Sequence, residues 1–190
     1  MRFCLVPVEF LTDEQAESYG AFEWLRHRHV RVVGVVGSPG KVAAAAEAGA
    51  EDVIVDGETL VERVRALVPS GVSAVFDANG GQAAARGFDL LRIRGMLVLY
   101  GTAAGPLPIL DSARLGNGSL YFTRTSGKDY VGTAAQWQRR AALVLARAAS
   151  GELRVRVGGC VALERAAELH ELLESRASTG KLLLQVTSVG

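Results

Sequence analysis

The residues best suited to chemistry in this chain are acidic. Asp13, Glu14 and Glu17 crowd one short stretch near the N-terminus, and Asp77 closes the apolar run Ala74-Val-Phe76. Carboxylates gathered in one cleft raise one another's pKa, and a group raised in this way serves as a general acid or base. The same three N-terminal acids also suit the first turn of a helix, where negative charge favours the dipole, so a solvated, capped helix end is the competing reading. Histidine supplies nothing comparable. His27 and His29 fall at the end of a predicted helix, where a cation complements the dipole, and His170 stands apart from both. Cys4 and Cys160 form neither a disulfide framework nor a metal spacing, and Cys160, after Gly158-Gly159, is expected in a loop. The chain has no GxSxG elbow, no HExxH pair and no GxxxxGK[ST] loop, and no metal site is predicted.

Composition bounds the rest. A chain of 190 residues suits one domain with an ordinary core, and 49% hydrophobic with 22% charged residues excludes a disordered tail. The net charge of +1 gives no electrostatic bias toward nucleic acid or an anionic membrane. The opening apolar run around Leu5, Val6 and Val8 is broken by Pro7 and Glu9, too short for a signal peptide or a membrane span. A cytoplasmic protein is expected.

The elements that must position these residues alternate between strand and helix. Phe3 to Val8 reads as a strand, at an edge because Pro7 cannot donate to a ladder. Thr12 to about Arg28 reads as a helix, and Val30 to Val36 as a strand buried on both faces. A helix over Pro39–Ala48, a strand over Asp52–Val55, a helix over Thr59–Val68 and a strand over Ala74–Phe76 follow. Gln82–Leu91 is a helix, Gly95–Tyr100 and Ser119–Thr123 are strands, and Trp137–Ala149 is a long helix with Gly151 as its stop. Leu163–Leu173 and Lys181–Val186 supply the last helix and strand. Strands separated by helices imply parallel crossovers. The expectation is a single α/β domain over residues 1–190, with a doubly wound, mostly parallel sheet and helices on both faces.

Four stretches carry a family resemblance: Val32-Val-Gly-Val-Val-Gly-Ser-Pro-Gly-Lys41, Ala74-Val-Phe-Asp-Ala-Asn-Gly80, Gly118-Ser-Leu-Tyr-Phe-Thr-Arg-Thr-Ser126 and Glu174-Ser-Arg-Ala-Ser-Thr-Gly-Lys181. In this order they resemble the nucleotide-binding half of the zinc-independent quinone oxidoreductases of the medium-chain dehydrogenase/reductase superfamily. The resemblance implies a Rossmann-like fold and NADPH as cofactor. It implies that Gly37, Ser38 and Lys41 form the turn holding the 2′-phosphate, where a lysine charge opposes the phosphate. It implies that Gly101 and Thr102 lie beside the nicotinamide ribose, and Thr123 and Arg124 near the nicotinamide. For each, a plain turn or a solvated surface residue is the alternative. Family members also pair the strand matching Ser119–Thr123 across a two-fold axis, which implies a homodimer. The uncharged run Leu120-Tyr-Phe122 agrees, since an open edge without charge needs a partner.

The chain also departs from the family pattern. The N-terminal catalytic domain that supplies most of the family's substrate cleft has no counterpart in these residues, so a nicotinamide here would have one wall missing. A dinucleotide fold places glycines between its first strand and first helix so that backbone N–H groups can approach the pyrophosphate. By register that loop falls at Leu11-Thr-Asp-Glu-Gln-Ala-Glu-Ser18, which contains no glycine. Thr12 and Gln15 instead read as a capping box. A pyrophosphate there would meet Asp13, Glu14 and Glu17, and one such pair at about 5 Å in an effective dielectric near 20 costs roughly 3 kcal/mol, less if exposed. That energy corresponds to about a hundredfold in affinity. Asp56-Gly57 stands where the family often stacks an aromatic ring on adenine, and Ala78 where serine is common.

Three functions follow. The first is an NADPH-dependent oxidoreductase acting on a small organic substrate, working alone or completed by another polypeptide. The second is a repurposed, non-redox enzyme using Asp13, Glu14, Glu17 and Asp77 for acid/base chemistry on a small apolar metabolite near Tyr100, Tyr121 and Phe122. The third is a non-catalytic dimeric partner or scaffold.

Overall fold

The run Arg31–Val36 forms strand β2, and its β-branched side chains alternate between two separate cores. Val33 and Val35 enter one apolar cluster, Val32 and Val36 another, as a two-residue period through a sheet covered on both faces requires. The computed structural model describes residues 2–6, 30–153, 156–175 and 180–186. The predicted first helix, its capping box and the histidines at its end lie outside the described residues.

A short strand β1, Arg2–Val6, precedes β2. After β2 come a 3-10 turn at Pro39–Lys41, helix α1 (Val42–Glu47), strand β3 (Asp52–Val55), helix α2 (Leu60–Leu67) and strand β4 (Val72–Asp77). Two short helices, α3 (Gly81–Ala85) and α4 (Gly87–Leu90), lead into strand β5 (Leu91–Leu99); α5 (Ser112–Gly116), strand β6 (Tyr121–Arg124) and α6 (Gly127–Tyr130) follow. The long helix α7 covers Ala134–Ala149, and Gly151 ends it in the left-handed conformation, φ 77°. Strand β7 (Val157–Ala162), helix α8 (Ala166–Glu174) and strand β8 (Lys181–Gln185) complete the described chain.

The strands assemble into a six-stranded sheet in the order β3-β2-β1-β4-β5-β6 and a separate parallel pair, β7-β8. The six-strand order is that of a doubly wound dinucleotide-binding sheet, with its topological switch point between β1 and β4. Helices α2 and α4 cover one face, where Leu60, Val64, Phe88 and Leu90 close over Val75 and Leu97. The small residues of α1 lie against Val32, Val36 and Ala74 on the other. Each such buried Val, Leu or Phe contributes roughly 1.5–3 kcal/mol through its loss of water contact.

Four expectations need correction. Strand β1 runs antiparallel to both neighbours, with Arg2 opposite Val35 and Asp77, and Val6 opposite Arg31. It is also central in the sheet, not at its edge. Strand β5 begins at Leu91, four residues before Gly95, because a bulge with Arg94 at φ 59° lets the chain re-enter the ladder. Cys160 lies in β7 and is exposed, since the glycines before it pair with β8 instead of turning the chain.

Candidate active site at the strand ends

Because β2, β4, β5 and β6 run parallel, their last residues, Val36, Asp77, Leu99 and Arg124, emerge at one edge of the sheet. The loops that follow contain Gly37, Ser38, Lys41, Asp77, Gly101, Thr102, Thr123 and Arg124, so the fold gathers these predicted residues along one rim. Asp13, Glu14 and Glu17 lie outside the described residues.

The loops after β4 and β5 are bound to each other through their backbones. The Tyr100 amide donates to the Asp77 carbonyl (3.0 Å), the Ala104 amide to Asn79 (2.6 Å) and the Gly81 amide to Gly105 (3.0 Å). A β-carbon on Gly101 would strike the Ala78 carbonyl, and one on Gly80 would strike that of Gly105. Gly80 and Gly81 also have positive φ, 72° and 62°, which side chains rarely tolerate. Asp77 anchors this junction. It is fully buried, and its Oδ1 accepts hydrogen bonds from the amides of Asn79 (2.7 Å) and Gly80 (2.8 Å). Its carboxylate thus shapes the rim from below, while Thr102 is exposed above it.

Beyond β5, the Thr125 amide donates to the Leu99 carbonyl (3.0 Å), which carries the chain from β6 across the end of β5. Arg124 is exposed, with Nη1 donating to the Thr125 carbonyl at 2.7 Å. Thr123 is half-buried. A polar cavity of about 250 Å³ opens beside these residues, with Arg140 of α7 in its wall. Sequence reasoning missed Arg140, because an arginine on a helix reads as a solvated surface cation. The start of α7 had a legible signal: Thr133 and Gln136 form a reciprocal capping box three residues before the predicted helix.

At the other end of the rim, Gly37 opens a turn with free space around it, and Lys41 closes that turn by donating its amide to the Ser38 carbonyl (3.1 Å). After β3, Asp56 accepts from Arg86 Nη2 at 3.0 Å. A carboxylate held by an arginine therefore occupies the region expected to lack an adenine platform.

As a dinucleotide site the rim fits at its two flanks and not at its centre. The turn at Gly37–Lys41 is open and carries a cation suited to a phosphate. The Thr102 and Thr123–Arg124 loops present hydroxyls and a guanidinium. In the central position, however, β1 brings its first residue to this edge, and the chain leaves Val6 at the opposite edge. A glycine turn running from a strand end into a helix N-terminus, the usual pyrophosphate seat, is not formed there by β1. Among the described residues no group of three or more His, Cys, Asp or Glu is placed to hold a metal ion, and no helix is long and apolar enough to cross a membrane.

Comparison with known proteins agrees with this geometry. A family model described as zinc-binding dehydrogenase matches residues 19–146. The quinone oxidoreductase of Salmonella typhimurium is 35% identical over 169 residues, covering 86% of this chain and 52% of that protein. Among solved structures, a mycobacterial protein complexed with NADPH superposes with a TM-score of 0.81 at 35% identity, covering 87% of this chain and 52% of the other. Quinone oxidoreductase from Escherichia coli, complexed with NADPH, gives a TM-score of 0.79 at 31% identity over the same shares. The chain spans about half the length of the curated relatives it matches. The parallel strand ends, the switch-point order and these similarities together establish that the chain belongs to the zinc-binding dehydrogenase family, where it resembles the nucleotide-binding half of the quinone oxidoreductases.

Proposed function

We propose that the chain is a quinone-oxidoreductase-type domain that binds NADPH weakly, through the two flanks of the rim, and acts on a small organic substrate in the cytoplasm. One observation carries this reading: the loops after β2, β5 and β6 keep their places around a centre where β1 runs the wrong way for a pyrophosphate turn. Gly37, Ser38 and Lys41 would hold the 2′-phosphate. Gly101, Thr102, Thr123 and Arg124 would border the nicotinamide, which supplies a hydride when bound. The similarity to two proteins solved with NADPH supports the cofactor. The acid/base alternative loses support at Asp77, whose carboxylate is sealed beneath the rim.

Calorimetric titration of NADPH, beside the Escherichia coli quinone oxidoreductase, tests the proposal. The expected affinity is roughly a hundredfold weaker than the relative's. Equal affinity would overturn the account of the centre, and failure of saturating NADPH to raise the melting temperature would overturn the cofactor.

The proposal extends to assembly as a homodimer. Strand β6 ends the sheet, and among the described strands it pairs only with β5. Phe122 turns inward, its ring 6.0 Å from that of Phe88, and Leu120 packs on the same core. Tyr121 is therefore the exposed member of the predicted apolar run, and it supports edge pairing with a second copy.

A further inference from the structure

The cavity beyond β6 has a charge and shape that select a ligand. Its wall holds two guanidinium groups, Arg124 and Arg140, one carboxylate, Asp129, and the hydroxyls of Thr123, Thr125 and Ser126. Arg140 is 6% exposed, whereas its neighbours Gln138 and Arg139 on α7 are exposed. A guanidinium drawn out of water is costly to hold unless acceptors surround it. Its position is fixed by the start of the helix: Gln136 donates its amide to Thr133 Oγ1 (3.2 Å) and returns its side-chain oxygen to the Thr133 amide (3.1 Å), one turn before Arg140. At the mouth, the bond from Arg124 Nη1 to the Thr125 carbonyl orients the second guanidinium.

We propose that this cavity binds a small organic carboxylate, with Arg140 as its buried anchor and Arg124 at its entrance. The inference rests on the reading of the strand ends as a ligand cleft, because Thr123 and Arg124 belong to both. Two cations against one acid leave a net charge of +1 in the wall, which a monoanion neutralises. A phosphate group carries about −1.5 to −2 near neutral pH and would leave excess negative charge. A planar carboxylate also matches the fork of a guanidinium in two parallel hydrogen bonds. The hydroxyls donate to whichever oxygen the arginines leave open. A volume of about 250 Å³ is far more than one water's share of the liquid, about 30 Å³, so the cavity admits an organic body behind the carboxylate.

The test is a titration of the ¹⁵N-labelled chain, without NADPH, using benzoate, its neutral counterpart benzamide, and inorganic phosphate. Benzoate is expected to shift the amides of residues 123–126 saturably, with benzamide and phosphate each at least roughly tenfold weaker. Arg124→Gln should weaken benzoate by about tenfold, and Asp129→Asn should strengthen it several-fold. Both positions are exposed, so these variants report even where Arg140→Gln fails to fold. Equal binding of benzoate and benzamide, tighter binding of phosphate, or indifference to Arg124→Gln would overturn the proposal. NADPH titrated separately keeps the two readings apart. Benzoate binding without NADPH binding removes the cofactor and leaves the carboxylate site, and the reverse outcome removes the carboxylate site alone.

Discussion

Gly101 lies so close to the carbonyl of Ala78 that no side chain fits between the loops after β4 and β5. Gly101→Ala must push those loops apart or bend them, because the obstacle is backbone and not a movable side chain. A loss of about 2–3 kcal/mol is expected in chemical denaturation. Gly37→Ala, at a position with nothing nearby, should stay within about 0.5 kcal/mol of the parent.

Asp77→Ala removes the acceptor shared by the amides of Asn79 and Gly80. Leaving buried donors unpaired costs about 1–3 kcal/mol, and both amides should exchange hydrogen faster. Asp77→Asn keeps an acceptor oxygen and should recover part of the loss. Equal exchange rates in all three proteins would mean that the carboxylate does not hold the rim.

Lys41→Ala separates a 2′-phosphate contact from ordinary surface charge. If the flanking turn holds that phosphate, NADPH binding should fall about tenfold while NADH binding stays unchanged. Calorimetry with both nucleotides gives the comparison directly.

Tyr121→Lys places a charge on the exposed edge of β6 without touching the core beneath it. Sedimentation should show a dimer for the parent and a monomer for the variant, since edge charge opposes strand pairing. Identical sedimentation would place any self-association elsewhere.

Arg165 and Glu168 form an exposed pair one turn apart, and the guanidinium holds the Glu168 carboxyl below its usual value. A depressed folded-state pKa means that the pair's contribution is present above the ordinary glutamate value and fades as pH falls through the lower one. In Arg165→Gln the Glu168 side chain should titrate at higher pH, which carbon-detected NMR can follow.

Much of the fold was legible because its strands are coded by continuous β-branched runs. Val30 to Val36 and Asp52 to Val55 differ little from the observed strands, and the helices between them announce themselves by periodicity. Strand direction is a different matter. Five residues of mixed character say that β1 is extended, but whether it runs up or down depends on partners distant in sequence. Strand β7 was missed because Gly158-Gly159 carries little β propensity, and it forms by pairing with β8. At the site, the glycines and hydroxyls of the rim could be named from family motifs. Arg140 could not, since only the packed helix reveals that its side chain turns inward.

The antiparallel strand has a practical consequence. Among the described strands, β2 and β4 are joined only through β1, so five N-terminal residues stitch the two halves of the sheet together. Polypeptide fused ahead of Arg2 would enter at the rim itself, beside Val35 and Asp77, where it competes for space with any ligand. A purification handle belongs at the far terminus, and binding data from N-terminally tagged material would report on the handle as much as on the protein.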